Sequence, residues 1–276
     1  MKVFELSSVS YSYLGKFPAL RNISFEISSG EQVVILGANG SGKSTLLQIL
    51  DGLVFPDSGT VKAFGTELSE EVFDSNESDF AKYFRTRVAF VFQNSDVQLF
   101  NASVYDEIAY APLQLNLAKE EAERRVNDTL ELLGIEKLRE RSPFMLSGGE
   151  KRKVAIAGAL SLNPDVLLLD EPTANLDPRT KNWFIELLEE LRGAGKTIVS
   201  SMHDIEVAKK IGERAIVLSE DHSIVFDGKL GEVLEDRELL ISANLIHEHL
   251  HAHDGLVHAH EHAHLKDAHR HEHQTT

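Results

Sequence analysis

Gly37-Ala38-Asn39-Gly40-Ser41-Gly42-Lys43-Ser44, preceded by the apolar run Glu31-Gln-Val-Val-Ile-Leu36 and followed by Thr45-Leu-Leu-Gln-Ile-Leu50, decides the fold class of this 276-residue chain. A G-x-x-x-x-G-K-S/T stretch between a strand and a helix is a phosphate-binding turn. Phosphate oxygens need several backbone N–H donors converging on one point with a helix N-terminus behind them, and glycines keep that space free of β-carbons. The reading places Gly37, Asn39, Gly40, Ser41, Gly42 and Thr45 in the cradle, sends Lys43 to the β and γ phosphates and gives Ser44 to Mg²⁺.

Outward from this turn, residues 1 to about 240 read as one α/β unit. Val88-Ala-Phe-Val-Phe92, Val166-Leu-Leu-Leu169 and Thr197-Ile-Val-Ser200 are short apolar runs of the kind that form buried strands. Val3 to Ser10 and Ile23 to Ser28 read as antiparallel strands, whereas the later strands are separated by helical patterns, which predicts a mixed sheet. Helical periodicity is clearest at Lys119–Leu133, Glu150–Leu162 and Trp183–Arg192. The first two lie between the Val88 and Val166 strands and predict an inserted helical subdomain. Ser69 to Asp79 is acidic and polar, and reads as a solvated surface loop.

Val166-Leu-Leu-Leu169 delivers Asp170 and Glu171 to its C-terminal end, where ligands bind in open α/β sheets. Asp170 would hold Mg²⁺ and Glu171 would polarise an attacking water, since phosphoryl transfer depends on positioning and charge neutralisation. Leu146-Ser147-Gly148-Gly149-Glu150 opens a helix with a capping box. The same geometry leaves a hydroxyl and free N–H groups pointing outward, a second anion site.

With these motifs in this order, the chain resembles the ATP-binding subunit of an ABC transporter over about residues 1 to 240. The resemblance implies an ABC-type P-loop ATPase: a mixed core sheet, an antiparallel β subdomain and an inserted helical subdomain. Ser147 to Glu150 resembles the signature motif, with Glu150 where Gln is commoner. By the family's pattern Tyr13 stacks on adenine, with Tyr11 as the competing candidate, and Gln93 is the Q-loop glutamine near Mg²⁺ and the attacking water. His203 matches the switch histidine at the γ-phosphate, and Asp177 lies in the loop that crosses to the partner subunit. Two such subunits, identical or related, would close head to tail, each ATP held by Gly37 to Thr45 of one and Ser147, Gly148 and Gly149 of the other. Phe92-Gln-Asn-Ser-Asp-Val-Gln-Leu-Phe100 and Val233-Leu-Glu-Asp-Arg-Glu-Leu-Leu240 resemble the energy-coupling-factor branch, whose ATPases serve vitamin and transition-metal uptake, with Ser95 in place of the usual Pro.

Composition bounds the rest. Apolar residues at 42% and charged residues at 26% exclude a wholly disordered or collagenous chain. Forty-four acidic against 28 basic residues, a formal charge of −16, disfavours nucleic acid as a partner. No window approaches the roughly 18–20 apolar residues of a membrane span, and Met1-Lys-Val-Phe-Glu-Leu-Ser-Ser8 has no signal-peptide pattern. The resemblance therefore implies separate integral membrane subunits and a peripheral place on the cytoplasmic face. With no cysteine, metal ligation falls to histidine or carboxylate.

Of 13 histidines, all but His203 and His222 fall in residues 247–273, leaving 11 there. His247, His249, His251, His253, His258, His260, His262, His264, His269, His271 and His273 recur at alternate positions amid Ala, Glu and Leu. Residues 241–276 thus read as a C-terminal extension with a flexible His-rich tail, suited by its imidazoles to Ni²⁺, Co²⁺, Cu²⁺ or Zn²⁺. Within the branch, such a tail points to nickel or cobalt. The rival readings are a soluble ABC-type ATPase in translation or DNA maintenance, which usually carries two cassettes or a coiled-coil insertion not visible here, and a vitamin-uptake ATPase with a metal-storing tail.

Overall fold

The computed structural model describes residues 1–74, 78–253 and 256–263, with side chains described outside residues 74, 247–253 and 256–263. The hairpin β1 (Lys2–Tyr13) and β2 (Phe17–Ser28) is followed by β3 (Gln32–Leu36), α1 (Lys43–Leu50), β4 (Ser58–Ala63) and β5 (Thr66–Glu67). Next come α2 (Glu70–Asp74), α3 (Asp79–Arg87), β6 (Val88–Val91), α4 (Ser95–Gln98), α5 (Val104–Gln114), α6 (Lys119–Leu133), α7 (Gly148–Leu160) and β7 (Val166–Asp170). Then α8 (Pro178–Gly193), β8 (Thr197–Met202), α9 (Ile205–Ile211), β9 (Arg214–Leu218) and β10 (Ile224–Lys229) complete the core sheet. The chain continues through α10 (Leu230–Glu235), α11 (Arg237–Ser242), β11 (Ile246–His253) and β12 (Leu256–Ala263).

One sheet is antiparallel, in the order β2-β1-β4-β5, and the core sheet runs β10-β9-β3-β8-β7-β6. In the core sheet only β10 is antiparallel to its neighbour; the other five strands are parallel, so the sheet is mixed. Its strands are apolar on both faces because both faces are covered. Val34 and Leu36 of β3 and Leu167 and Leu169 of β7 join the core shared with α5–α9. Val33, Ile35, Val166 and Leu168 join the core under α1 and the antiparallel sheet. Strand period two thus feeds two cores from one sequence run. Parallel register brings Leu36 beside Met202, and Asp170 beside Ser201, so the turns after β3, β7 and β8 share one edge.

Helix boundaries follow local caps. Ser147 caps α7 in a capping box, so that helix starts at Gly148 and ends at Leu160, not at Glu150 and Leu162 as its periodicity predicts. Helix α8 starts at Pro178, not Trp183, because Asp177 accepts hydrogen bonds from the Arg179 and Thr180 amides and proline suits the first turn. The acidic segment read as a loop contains α2 and the first residue of α3, Asp79; its Ser75-Asn76-Glu77 stretch lies outside the described residues. Phe73 of α2 packs on Phe55 and Phe84, which supplies the apolar anchor that a count of charges overlooks.

Beyond residue 240, Ala243 and Leu245 remain in the same core as α10 and α11. Where composition predicts a flexible tail, the backbone pairs β11 with β12. Their register sets His247 opposite His262, His249 opposite His260 and His251 opposite His258. Alternate polar and small residues match the period of a strand, a local signal that composition averages away. His264, His269, His271 and His273 lie outside the described residues.

At the end of α1, Asp51 is buried, and Arg85 donates to its carbonyl at 2.8 Å and to its carboxylate at 3.2 Å. Burial pushes the Asp51 carboxyl up to about 7, against the opposing pull of Arg85. Between the ordinary 3.8 and about 7 the folded chain therefore holds a proton that the unfolded chain has lost, and stability falls as pH rises through that window. Asp51→Asn removes this penalty. A tenfold change in proton affinity is worth about 1.4 kcal/mol, at roughly 2–4 °C per kcal/mol in chains of this size. The Tm of the variant relative to the parent should rise by about 6–11 °C between pH values of about 5 and 8; thermal melts showing a pH-independent difference would contradict the assignment.

Candidate functional site

The turn after β3 is shaped by close backbone approach. A β-carbon on Gly42, whose φ is 106°, would lie 2.2 Å from the Ala19 carbonyl oxygen, and one on Gly37 would lie 2.6 Å from that of Leu218. Lys43 is buried, and its ammonium donates to the carbonyls of Gly37 and Ala38 at 2.9 Å each. Burial lowers its pKa, opposed by the nearby Glu171 and Asp170 carboxylates. Asn39 and Gly40 are exposed at the tip, whereas the Ser41 hydroxyl is buried with no hydrogen-bond partner. The Tyr13 hydroxyl lies 3.0 Å from Thr45 Oγ1, and the ring is 41% exposed beside the cradle. Tyr11 meets Tyr13 edge to face at 5.1 Å and packs against the core, which leaves Tyr13 the more available ring.

Two carboxylates stand at the end of β7. Asp170 Oδ1 accepts from Ser44 Oγ at 3.0 Å and from Ser201 Oγ at 2.6 Å. Glu171 is a non-glycine residue at φ 41°, a conformation that persists only where surroundings over-determine it. Its amide donates to Ser201 Oγ at 3.0 Å. Gln93 Nε2 donates to Glu171 Oε2 at 3.0 Å, His203 Nδ1 lies 3.3 Å from Oε1, and Lys43 Nζ is 3.9 Å from the same oxygen. The bond to His203 is the main influence holding the Glu171 carboxyl below its ordinary range, and that bond raises the His203 pKa in turn. Lys43, Ser44, Gln93, Asp170, Glu171 and His203 thus form one cluster.

Ser147, Gly148, Gly149 and Asp177 lie to one side of it, with Gly148 also lining a smaller cavity beside Gln93 and Arg152. They line a separate open cleft of about 740 Å³ with Lys153, Asn175 and Thr180, among whose lining residues none of Gly37 to Thr45 appears. Ser147 Oγ donates to Glu150 Oε2 at 2.7 Å, and Thr180 Oγ1 donates to Asp177 Oδ2 at 2.6 Å. Sequence reading overlooked Ser201, which ties Asp170 to the Glu171 amide, and Arg152, which reaches the Phe92 and Glu171 carbonyls. A serine inside an apolar strand just before His203 was the available signal for Ser201; a lysine and arginine run in α7 gave none for Arg152.

The sequence pattern described as ABC transporter matches residues 20–174. The chain belongs to the ABC transporter family. The nickel import ATP-binding protein NikO of Rhodobacter capsulatus is 46% identical across 88% of this chain and 95% of its own. The energy-coupling factor transporter ATP-binding protein EcfA2 of Methanospirillum hungatei is 42% identical over 88% of this chain, which spans 59% of that longer relative. Among solved structures, cbiO1 of Clostridium perfringens, part of the ABC transporter complex cbiONQ, matches with a TM-score of 0.73 and 34% identity over 88% of this chain and 95% of that one. A dimeric ATP-binding cassette, MJ0796, bound to ADP and Pi matches with a TM-score of 0.72 and 32% identity over 82% and 98%. The fold is that of an ABC ATPase, and the chain is the ATP-binding, ATP-hydrolysing subunit of an ABC transporter.

Such ATPases use Mg²⁺, and the oxygens at hand fit it. The Ser44 hydroxyl and Asp170 carboxylate, 3.0 Å apart, are the hard donors magnesium prefers. When bound, Mg²⁺ neutralises phosphate charge. The orphaned Ser41 hydroxyl and the glycine-only approach at Gly42 mark the cradle as built for a ligand. Gly42→Ala should distort it: backbone strain alone costs about 1–3 kcal/mol, and with the 2.2 Å clash ATP affinity should fall by about tenfold or more. Equilibrium binding of a fluorescent ATP analogue at parental affinity would contradict this geometry.

Proposed function

We propose that this chain powers import of a transition-metal ion, nickel or cobalt, as the peripheral ATPase of an energy-coupling-factor transporter on the cytoplasmic face of the membrane. The observation that carries the catalytic part is the convergence of Gln93, His203 and Lys43 on the Glu171 carboxylate. In this reading Tyr13 stacks on adenine while Gly37, Asn39, Gly40, Ser41, Gly42, Lys43 and Thr45 cradle the phosphates. Ser44, Gln93 and Asp170 would hold Mg²⁺. Water oxygen bonds to the γ-phosphorus as the bond to the β–γ bridging oxygen breaks; Glu171 takes the water's proton, and His203 donates to a γ-phosphate oxygen. Ser147, Gly148, Gly149 and Asp177, displaced from the cluster in a cleft of their own, face the nucleotide of a second cassette, identical or related.

Residues 1–240 are read as the ATP-binding domain and residues 241–276 as the extension. No helix of the described residues is long and apolar enough to cross a membrane, which fits separate integral membrane subunits. The substrate assignment rests on likeness to the nickel import protein NikO and on the 11 tail histidines, all those of the chain's 13 except His203 and His222. The alternation of those histidines supports chelation by the tail, since neutral imidazole suits nickel and cobalt.

Glu171→Gln should keep ATP affinity and lose turnover by roughly 10²-fold or more, the usual worth of a general base. Phosphate release at the parental rate would discard Glu171 as the base. In cells carrying the full transporter, deletion of this subunit should abolish uptake of labelled nickel or cobalt, whereas loss of vitamin uptake with intact metal uptake would overturn the substrate assignment.

A further inference from the structure

Helix α7 grips the segment that follows β6 with three side chains or carbonyls in succession. Lys151 Nζ meets Asp96 Oδ1 at 2.5 Å, Arg152 Nη1 donates to the Phe92 carbonyl at 2.5 Å, and the Ala155 carbonyl accepts from Gln98 Nε2 at 3.2 Å. Arg152 is the unusual member. It is only 2% exposed, and its other amino group, Nη2, donates to the Glu171 carbonyl at 3.1 Å. Among the described residues its hydrogen-bond acceptors are thus two main-chain oxygens and no carboxylate. Burying a guanidinium on neutral partners is costly, and burial pulls its pKa down to about 10 against the favourable field of Asp170.

The two peptides it holds are the ones that matter. Phe92 immediately precedes Gln93, whose amide reaches the Glu171 carboxylate at 3.0 Å. Glu171 occupies the left-handed region at φ 41°, and its N–H is fixed by Ser201 on the other side. Ser201 and Arg152 therefore each hold one main-chain polar group of Glu171, whose carbonyl also accepts from the Ala174 amide, and Arg152 ties that carbonyl to the Phe92 peptide that precedes Gln93. Because Arg152 lies on the helix that Ser147 caps, a shift of the cleft-facing motif moves the guanidinium with it.

We propose that Arg152 is a positioning residue that couples the orientation of helix α7 to the relative placement of Gln93 and Glu171, so that hydrolysis responds to what occupies the Ser147–Gly149 face. The proposal rests on the reading of Glu171 as the base. A displacement of about 1 Å in a reacting group costs about 10²-fold in rate, so loss of this clamp should appear in turnover and not in nucleotide capture.

The test uses the full-length chain with its transporter partners and compares Arg152→Lys and Arg152→Met, alone and combined with Gln93→Ala. Lysine keeps the charge but has no fork to span two carbonyls. Expected are ATP affinity and KM within about twofold of the parent, kcat down about tenfold or more for Lys and further for Met, and an Arg152→Lys effect that shrinks markedly in the Gln93→Ala background. Parental kcat in Arg152→Lys would overturn the proposal. So would kcat and affinity falling together in step with the folded fraction seen by circular dichroism, or full multiplicativity with Gln93→Ala. If Met fails to fold, Lys and its double variant decide the matter. Undiminished turnover in Glu171→Gln would instead strike the reading of the base, a result separable from any behaviour of Arg152.

Discussion

In the proposed reaction a carboxylate aimed at phosphate has to stay ionised in a site that is partly closed to water, and the neighbours of Glu171 suit it to that demand. His203 and Gln93 hydrogen-bond its two oxygens, and Lys43 stands 3.9 Å away. Each comes from a different chain segment, which only parallel strands ending at a common edge can bring together. The apolar runs of β3, β7 and β8, buried on both faces, are what fix that edge. Their packing supplies the rigidity that keeps Glu171 at φ 41°.

The same architecture sets the motif residues in two places. Lys43, Asp170 and Glu171 gather at the β3–β7 edge, whereas Ser147 to Gly149 and Asp177 lie in another cleft. A single copy thus carries two unlike half-surfaces, the arrangement expected when each completes the other on a second cassette. The inserted helices α5 to α7 lie in sequence between β6 and β7, and α7 reaches the β3–β7 edge through contacts such as those of Arg152 and Lys151.

Much of this was legible because its signals are local. The phosphate turn, the Asp170–Glu171 strand end and the Ser147 capping box are short patterns whose meaning depends on adjacent residues. Tyr13, Gln93, His203 and Asp177 carry weak individual signals and came from family resemblance; the structure puts the first three at the β3–β7 edge and Asp177 in the other cleft. What escaped was tertiary. Arg152 looks like one more surface cation until the Phe92 and Glu171 carbonyls are seen to meet it, and Asp51 looks like a helix end until Arg85 closes over it. The acidic stretch after Leu68 passed for loop since the packing of Phe73 on Phe84 depends on distant chain. Periodicity placed α8 too late because Asp177 and Pro178, polar and rigid, start that helix before its apolar stripe begins.

The central claim is that ATP is shared between two copies. Sedimentation velocity of the full-length Glu171→Gln chain with saturating ATP and Mg²⁺, alongside its natural partners where a second cassette differs, measures this most directly. Nucleotide-dependent conversion from monomer to dimer, reversed when nucleotide is removed, is the predicted result. A chain that binds ATP fully and yet stays monomeric under every such condition contradicts the account.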